Sequence, residues 1–139
     1  MAIDDAVWSA LEIAAREASE RAYCPYSRFR VGAAVLTDDG SIWSGCNVEN
    51  ASYGLTICAE RNAIFQAVAA GKRAVVAIVV FTPTDRPTAP CGACRQVIFE
   101  FGAATIVRSI CLGRERLEEP IRVLLPEAFG PSNLEESSQ

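Results

Sequence analysis

The spacing of apolar and polar residues changes several times along this chain, and each change marks an element boundary. Over residues 4–23, Val7, Trp8, Leu11, Ile13, Ala14 and Ala18 recur at helical spacing, and Pro25 closes the pattern. Residues 30–36 and 42–47 flank Asp38-Asp39-Gly40, which predicts a β-hairpin. Helical spacing returns over 58–70 (CAERNAIFQAVAA), with Gly71 as the C-terminal cap. Residues 74–81 (AVVAIVVF) form an unbroken β-branched run, as in a strand buried on both faces. A loop rich in Pro and Thr fills 82–90, and a third helix covers 91–101 (CGACRQVIFEF) before Gly102. A second apolar strand follows at 104–112. PIRVLLPEAFGPSNL predicts a short strand or turn and a brief helix, and residues 135–139 (EESSQ) should fray.

The order α-β-β-α-β-α-β predicts an α/β fold: a three-layer α-β-α sandwich with a mixed sheet, residues 1–139 forming a single domain. With each helix as a crossover, the strands at 74–81 and 104–112 become parallel neighbours. The helices at 58–70 and 91–101 then begin at one sheet edge, where open α/β folds gather ligands.

Composition narrows the partners. The chain has 139 residues, enough to bury a core without disulfide staples. Half of it is apolar, at 50%, yet no run approaches the roughly 18 residues needed to span a bilayer, so a soluble protein with no membrane partner is expected. The opening segment carries scattered charges and reads as an amphipathic helix, not a signal peptide. The expected compartment is therefore a reducing cytoplasm, where cysteine spacing points to metal binding or catalysis before disulfides. Net charge is -4, Lys72 is the sole lysine, and no basic cluster is present. A nucleic-acid binder needs a basic track along the phosphates, so no nucleic-acid partner is expected. The substrate should be a small uncharged molecule.

The candidate chemistry sits in Cys58-Ala59-Glu60 and Pro90-Cys91-Gly92-Ala93-Cys94. Cys58, Cys91 and Cys94 offer three soft ligands, which leaves one corner of a tetrahedral Zn²⁺ site open, as in catalytic rather than structural zinc centres. Each cluster falls at a predicted helix start, where partial positive charge favours thiolates. The chain has no histidine, so proton transfer near neutral pH falls to a carboxylate, a thiol or metal-bound water, and Glu60 is the placed candidate. Three thiolates leave a zinc centre with net negative charge, which calls for a nearby cation. Arg61 and Arg95 each follow a site residue, and Arg61 is the choice, its guanidinium hydrogen-bonding a ligand sulfur. A thiol–disulfide oxidoreductase using Cys91 and Cys94 is the alternative from another class, although it leaves Glu60 idle. Cys24, Cys46 and Cys111 read as ordinary buried small residues.

Four blocks in order carry a resemblance. Pro25-Tyr26-Ser27-x-Phe29-x-Val31-Gly32-Ala33-Ala34, the stretch 45–54 (GCNVENASYG), Cys58-Ala59-Glu60-Arg61 and the stretch 90–96 (PCGACRQ) closely resemble the small cytidine deaminases, and Leu125-Pro126-x-x-Phe129-Gly130-Pro131 also fits. Cys58 stands where the zinc-deaminase signature usually has His, which matches the short, homotetrameric, three-cysteine branch. The resemblance implies one Zn²⁺ per subunit on Cys58, Cys91 and Cys94. Glu60 would shuttle protons to the pyrimidine N3 and to the departing amine. It further implies that Asn47 and Glu49 bind the sugar hydroxyls, the carboxylate accepting from the 3′-OH. Phe29 would line the base pocket, the Ala59 backbone would meet the base's polar edge, and Tyr53 and Phe129 would reach a neighbouring subunit's site. The implied activity is deamination of free cytidine and 2′-deoxycytidine in pyrimidine salvage. A related deaminase of a modified cytosine nucleoside, of the blasticidin type, is the alternative enzyme. Residues 103–124 carry no motif of the resemblance.

Overall fold

Five strands form the middle layer of this computed structural model, which describes residues 2–137. They are β1 (Gly32–Thr37), β2 (Ile42–Cys46), β3 (Val75–Phe81), β4 (Ile106–Ile110) and β5 (Leu117–Pro120), arranged β2-β1-β3-β4-β5. The β1–β2, β1–β3 and β4–β5 pairs are antiparallel, whereas β3 and β4 run parallel. One helix, α1 (Asp5–Ser19), covers one face. The other face carries α2 (Ala59–Ala69), α3 (Gly92–Phe101) and the short α4 (Ile121–Leu124). A last helix, α5 (Pro131–Ser137), follows. The mixed three-layer architecture is the one that the apolar pattern predicts.

Each outer layer follows from its sequence. Asp4 caps α1, its carboxylate accepting from the Ala6 amide at 3.1 Å. Trp8, Leu11, Ala15 and Ala18 are buried at three- and four-residue spacing, and this cluster packs on Ala34, Leu36, Ala77 and Val79. Ile13 departs from expectation: it is 57% exposed on the solvent side of the helix. The helix also stops at Ser19, short of residue 23. There the Ser19 hydroxyl donates to the Arg16 carbonyl at 2.6 Å, and the Arg21 and Ala22 amides bond only three residues back. Gly32 and Gly45 let the helices lie directly on strand backbone. A Cβ at Gly32 would sit 1.9 Å from the Ala15 carbonyl oxygen, and one at Gly45 would sit 2.5 Å from the Ala63 nitrogen.

The C-terminal third corrects the sequence reading. β5 lies at Leu117–Pro120, between the predicted strand at 104–112 and the stretch 120–134, which carries two helices, α4 and the start of α5, where one brief helix and a short strand or turn are predicted. β5 pairs with β4 as a charged edge strand, the Arg108 Nε donating to Glu118 at 2.6 Å. Of the segment expected to fray, α5 carries the backbone to Ser137, and residues 138–139 lie outside the described residues.

Connectivity places the chemistry. α2 leads from β2 into β3 and α3 leads from β3 into β4, and β2 and β3 both run antiparallel to β1. Both helices therefore start at the same edge of the sheet.

Candidate metal centre and substrate cavity

Cys58 is the N-cap residue of α2 and Cys91 that of α3, with Cys94 one turn into α3. Neither N-cap cysteine spends its side chain on capping. The three sulfurs lie within 4.8 Å of one another. Two sulfurs each about 2.3 Å from a tetrahedral zinc stand about 3.8 Å apart; the Cys58 and Cys91 sulfurs are 3.9 Å apart. That spacing fits a shared ion, and it is far beyond the roughly 2.05 Å of a disulfide bond. Donor number, softness and spacing thus all suit Zn²⁺ with a fourth position left over.

The electrostatics agree with a thiolate centre. Cys58 is drawn down to about 5, first by the neighbouring Cys94 thiol and then by the Arg61 guanidinium. The Cys94 thiol moves the opposite way, pushed up by the Cys58 thiolate and by burial. Cys58 therefore favours its thiolate and Cys94 its thiol when no metal is bound, so metal binding at both must release the remaining proton. Arg61 donates to the Cys58 sulfur at 3.4 Å. Arg95 does not compete for this position. Its Nε donates to the Pro90 carbonyl at 2.7 Å and its guanidinium to the Leu124 carbonyl at 2.9 Å, so it braces the loop before Cys91.

Glu60, in the first turn of α2, is buried at 5% exposure. Burial pushes its carboxyl up to about 7 and the negative Cys58 adds to this, while its own backbone N–H pulls the other way. The group can thus hold or release a proton near neutrality.

A cavity of about 250 Å³ opens beside these groups, lined by Phe29, Asn47, Glu49, Ala59, Glu60, Cys58 and Cys91 among others. It adjoins a second one of about 270 Å³ lined by Tyr26, Ser27, Glu49, Tyr53 and Thr56. The first is smaller than the roughly 300–1,000 Å³ of drug-sized ligand sites, so one small molecule fits it. A larger cavity of about 740 Å³ lies between α3 and the C-terminal segment. It contains no cysteine, and its glutamates, Glu100 and Glu127, are exposed.

Six of the expected substrate contacts divide into three groups. Phe29, Asn47, Glu49 and Ala59 meet in the first cavity. Tyr53 lines only the second and is 75% exposed. Phe129 lines neither; it is 60% exposed, and its carbonyl accepts from Gln96 Nε2 at 2.8 Å. Asn47 is also structural. Its Oδ1 accepts from the Val31 amide at 2.9 Å and its Nδ2 donates to the Phe29 carbonyl at 2.7 Å. Sequence reasoning missed Ser27, Thr56, Thr82 and Thr88, which also line the first cavity. Ser27 was visible only as a member of the Pro25–Phe29 block. Of the other cysteines, Cys24 and Cys111 are buried as expected, but Cys46 is only half-buried because it ends the edge strand β2.

Comparison with known proteins adds an independent line. Residues 9–110 match the model of the cytidine and deoxycytidylate deaminase zinc-binding region. A cytidine deaminase of Halalkalibacterium halodurans is 55% identical over 114 residues, covering 81% of this chain and 86% of the relative. One from Mycobacterium tuberculosis is 42% identical over 130 residues, covering 94% and 95%. Among solved structures, a cytidine deaminase from Burkholderia pseudomallei superposes with a TM-score of 0.84 at 51% identity, covering 87% of this chain and 98% of its own.

Proposed function

The chain belongs to the cytidine and deoxycytidylate deaminase family, and on that premise we propose that it removes the exocyclic amino group of free cytidine and 2′-deoxycytidine by hydrolysis, releasing ammonia and a uracil nucleoside. One observation carries the reading. A buried carboxyl that titrates near neutrality stands beside three converging sulfurs, in a cavity sized for a small molecule.

Cys58, Cys91 and Cys94 would hold one zinc ion per chain. The chemistry zinc supplies in such a site is Lewis acidity, which makes water a nucleophile at neutral pH. Every proton movement then belongs to Glu60. Its carboxylate would accept a proton from the attacking water and deliver it to N3 of the pyrimidine, then take the proton of the new C4 hydroxyl and pass it to the departing amine. A carboxyl at the usual value near 4.3 would be almost fully ionised at pH 7 and a weak base toward water, and burial corrects that. Arg61 offsets the excess negative charge of the thiolates through Cys58. Phe29 packs against the base, the Ala59 backbone meets its polar edge, and Asn47 and Glu49 bind the sugar.

The exposure of Tyr53 and Phe129 supports assembly as a homotetramer in which each chain completes a neighbour's site. The whole chain then acts as one catalytic domain, in the cytoplasm and in pyrimidine salvage. The named relatives are deaminases, which supports hydrolysis over thiol–disulfide exchange by Cys91 and Cys94.

Ultraviolet absorbance on a panel of cytidine, 2′-deoxycytidine, a blasticidin-type nucleoside and a cytosine oligonucleotide tests the substrate. The two free nucleosides should turn over fastest. Preference for the modified nucleoside or the polymer would contradict the proposal.

A further inference from the structure

The carboxylate of Glu49 is unusually occupied for a group that faces a cavity. Its Oε1 accepts from the Tyr26 amide at 3.0 Å and the Ser27 amide at 3.1 Å, and its Oε2 accepts from the Ser27 hydroxyl. A carboxylate offers about four acceptor positions, so about one remains free. By this count the free one is on Oε2, the oxygen that the Ser27 hydroxyl bonds. These bonds, the Ser27 hydroxyl first among them, also hold the Glu49 carboxyl below its usual range.

Ser27 has a second partner. Its oxygen accepts from the Phe29 amide at 3.0 Å, while the Phe29 carbonyl accepts from Asn47 at 2.7 Å. Glu49, Ser27, Phe29 and Asn47 thus form one hydrogen-bonded chain running across the two adjoining cavities. The turn that makes this possible is strained. Arg28, between Ser27 and Phe29, has φ 58°, in the left-handed region uncommon for side-chain-bearing residues, and its amide donates to the Cys24 carbonyl at 2.8 Å. Strain of this kind persists where surrounding contacts over-determine the backbone.

Resting on the sugar-binding reading of Asn47 and Glu49 above, we propose that Ser27 is a positioning residue for sugar recognition: its hydroxyl aims the one free acceptor of Glu49 at the sugar 3′-hydroxyl and ties that aim to the placement of Phe29. Ser27 acts through Glu49, so its loss should be felt in recognition of that hydroxyl rather than in the proton transfers.

The test compares cytidine with 3′-deoxycytidine on the zinc-loaded protein in three forms: wild type, Ser27→Ala and Ser27→Thr. Zinc content and thermal melting are measured on each. Wild type should favour cytidine by about tenfold or more in kcat/KM, on the scale of a hydrogen bond to a charged group. Ser27→Ala should raise KM for cytidine by about tenfold while kcat changes by less than about threefold, and 3′-deoxycytidine should be nearly unaffected. Ser27 is exposed, so the extra methyl of threonine has room, and Ser27→Thr should restore discrimination. Equal losses on both substrates in Ser27→Ala, or discrimination that survives it, would overturn the role of Ser27. A wild type that does not distinguish the two nucleosides would overturn the sugar-binding reading itself, and this is visible before any substitution is made.

Discussion

The two faces of the sheet divide the work of the molecule. Under α1, Trp8, Leu11 and Ala15 pack on Ala34, Leu36, Ala77 and Val79, a wholly apolar contact. Its rim is closed by Arg108, which pairs with Glu12 at 2.9 Å and lies 3.9 Å over the Trp8 ring. The opposite face has its own apolar core in Ala63, Ile64, Ile78 and Ile98. At its edge, however, it buries a carboxyl whose ionisation is penalised and brings together three cysteine sulfurs, one of them drawn toward its thiolate form. One face is built for stability. The other gives up stability at one edge for chemistry, so substitutions on the two faces should separate folding from turnover.

The sharpest separation is expected at Glu60. Glu60→Gln should keep zinc and bind nucleoside while turnover falls at least about 10³-fold, the scale of a lost acid–base group. The same variant should be more stable than wild type without metal at high pH. The folded carboxyl is raised from 4.5 to about 7, so it binds its proton more tightly folded than unfolded. Its contribution is fully present below about 4.5 and is lost as pH rises through about 7, by on the order of 3 kcal/mol. Denaturant melts of the two metal-free proteins should converge at pH 4 and diverge at pH 8. Parallel curves would mean that burial does not set this group.

Leu11→Ala probes the other face. Leu11 is completely buried, so the change should cost about 2–5 kcal/mol in denaturant unfolding while kcat per folded, zinc-loaded chain stays at the wild-type value. A fall in kcat would blur the division between faces. Next in size is Arg61→Ala, which removes the donor to the Cys58 sulfur and should weaken zinc retention against a chelator by about 10–100-fold. Full zinc content with unchanged turnover would refute the charge-compensation role. The smallest effect is expected at the hairpin, where Lys72 pairs with Asp39 at 2.5 Å on the exposed surface. The Lys72 ammonium beside it holds Asp39 well below the usual carboxylate range. The pair's stabilisation is thus fully present above the ordinary Asp value and is lost as pH falls below it and through the lowered folded value. Lys72→Ala should barely shift the melting curve at pH 7 and leave turnover intact; a large shift would make the pair structural.

Legibility from sequence followed the same division. Cys58, Glu60, Cys91 and Cys94 were readable because each cluster opens a helix with strong local signals, and the strand order then joins two distant segments at one edge. β5 was hidden because Leu117-Glu118-Glu119-Pro120 has no apolar period; it is a strand only through pairing with β4. Ile13 was misplaced because a lone apolar residue on a solvent-facing turn looks the same in sequence as one turned inward. Ser27 could not be read as holding Glu49, since 22 residues separate them and only the fold brings the hydroxyl to the carboxylate.

The most direct measurement of the central claim is a zinc titration of the metal-free, fully reduced protein, with uridine formation from cytidine as the readout. Turnover should be absent without metal and should rise in proportion to zinc until one ion per chain is bound. Full deamination by the metal-free protein, or activity that follows Cys91–Cys94 oxidation instead of zinc, would contradict it.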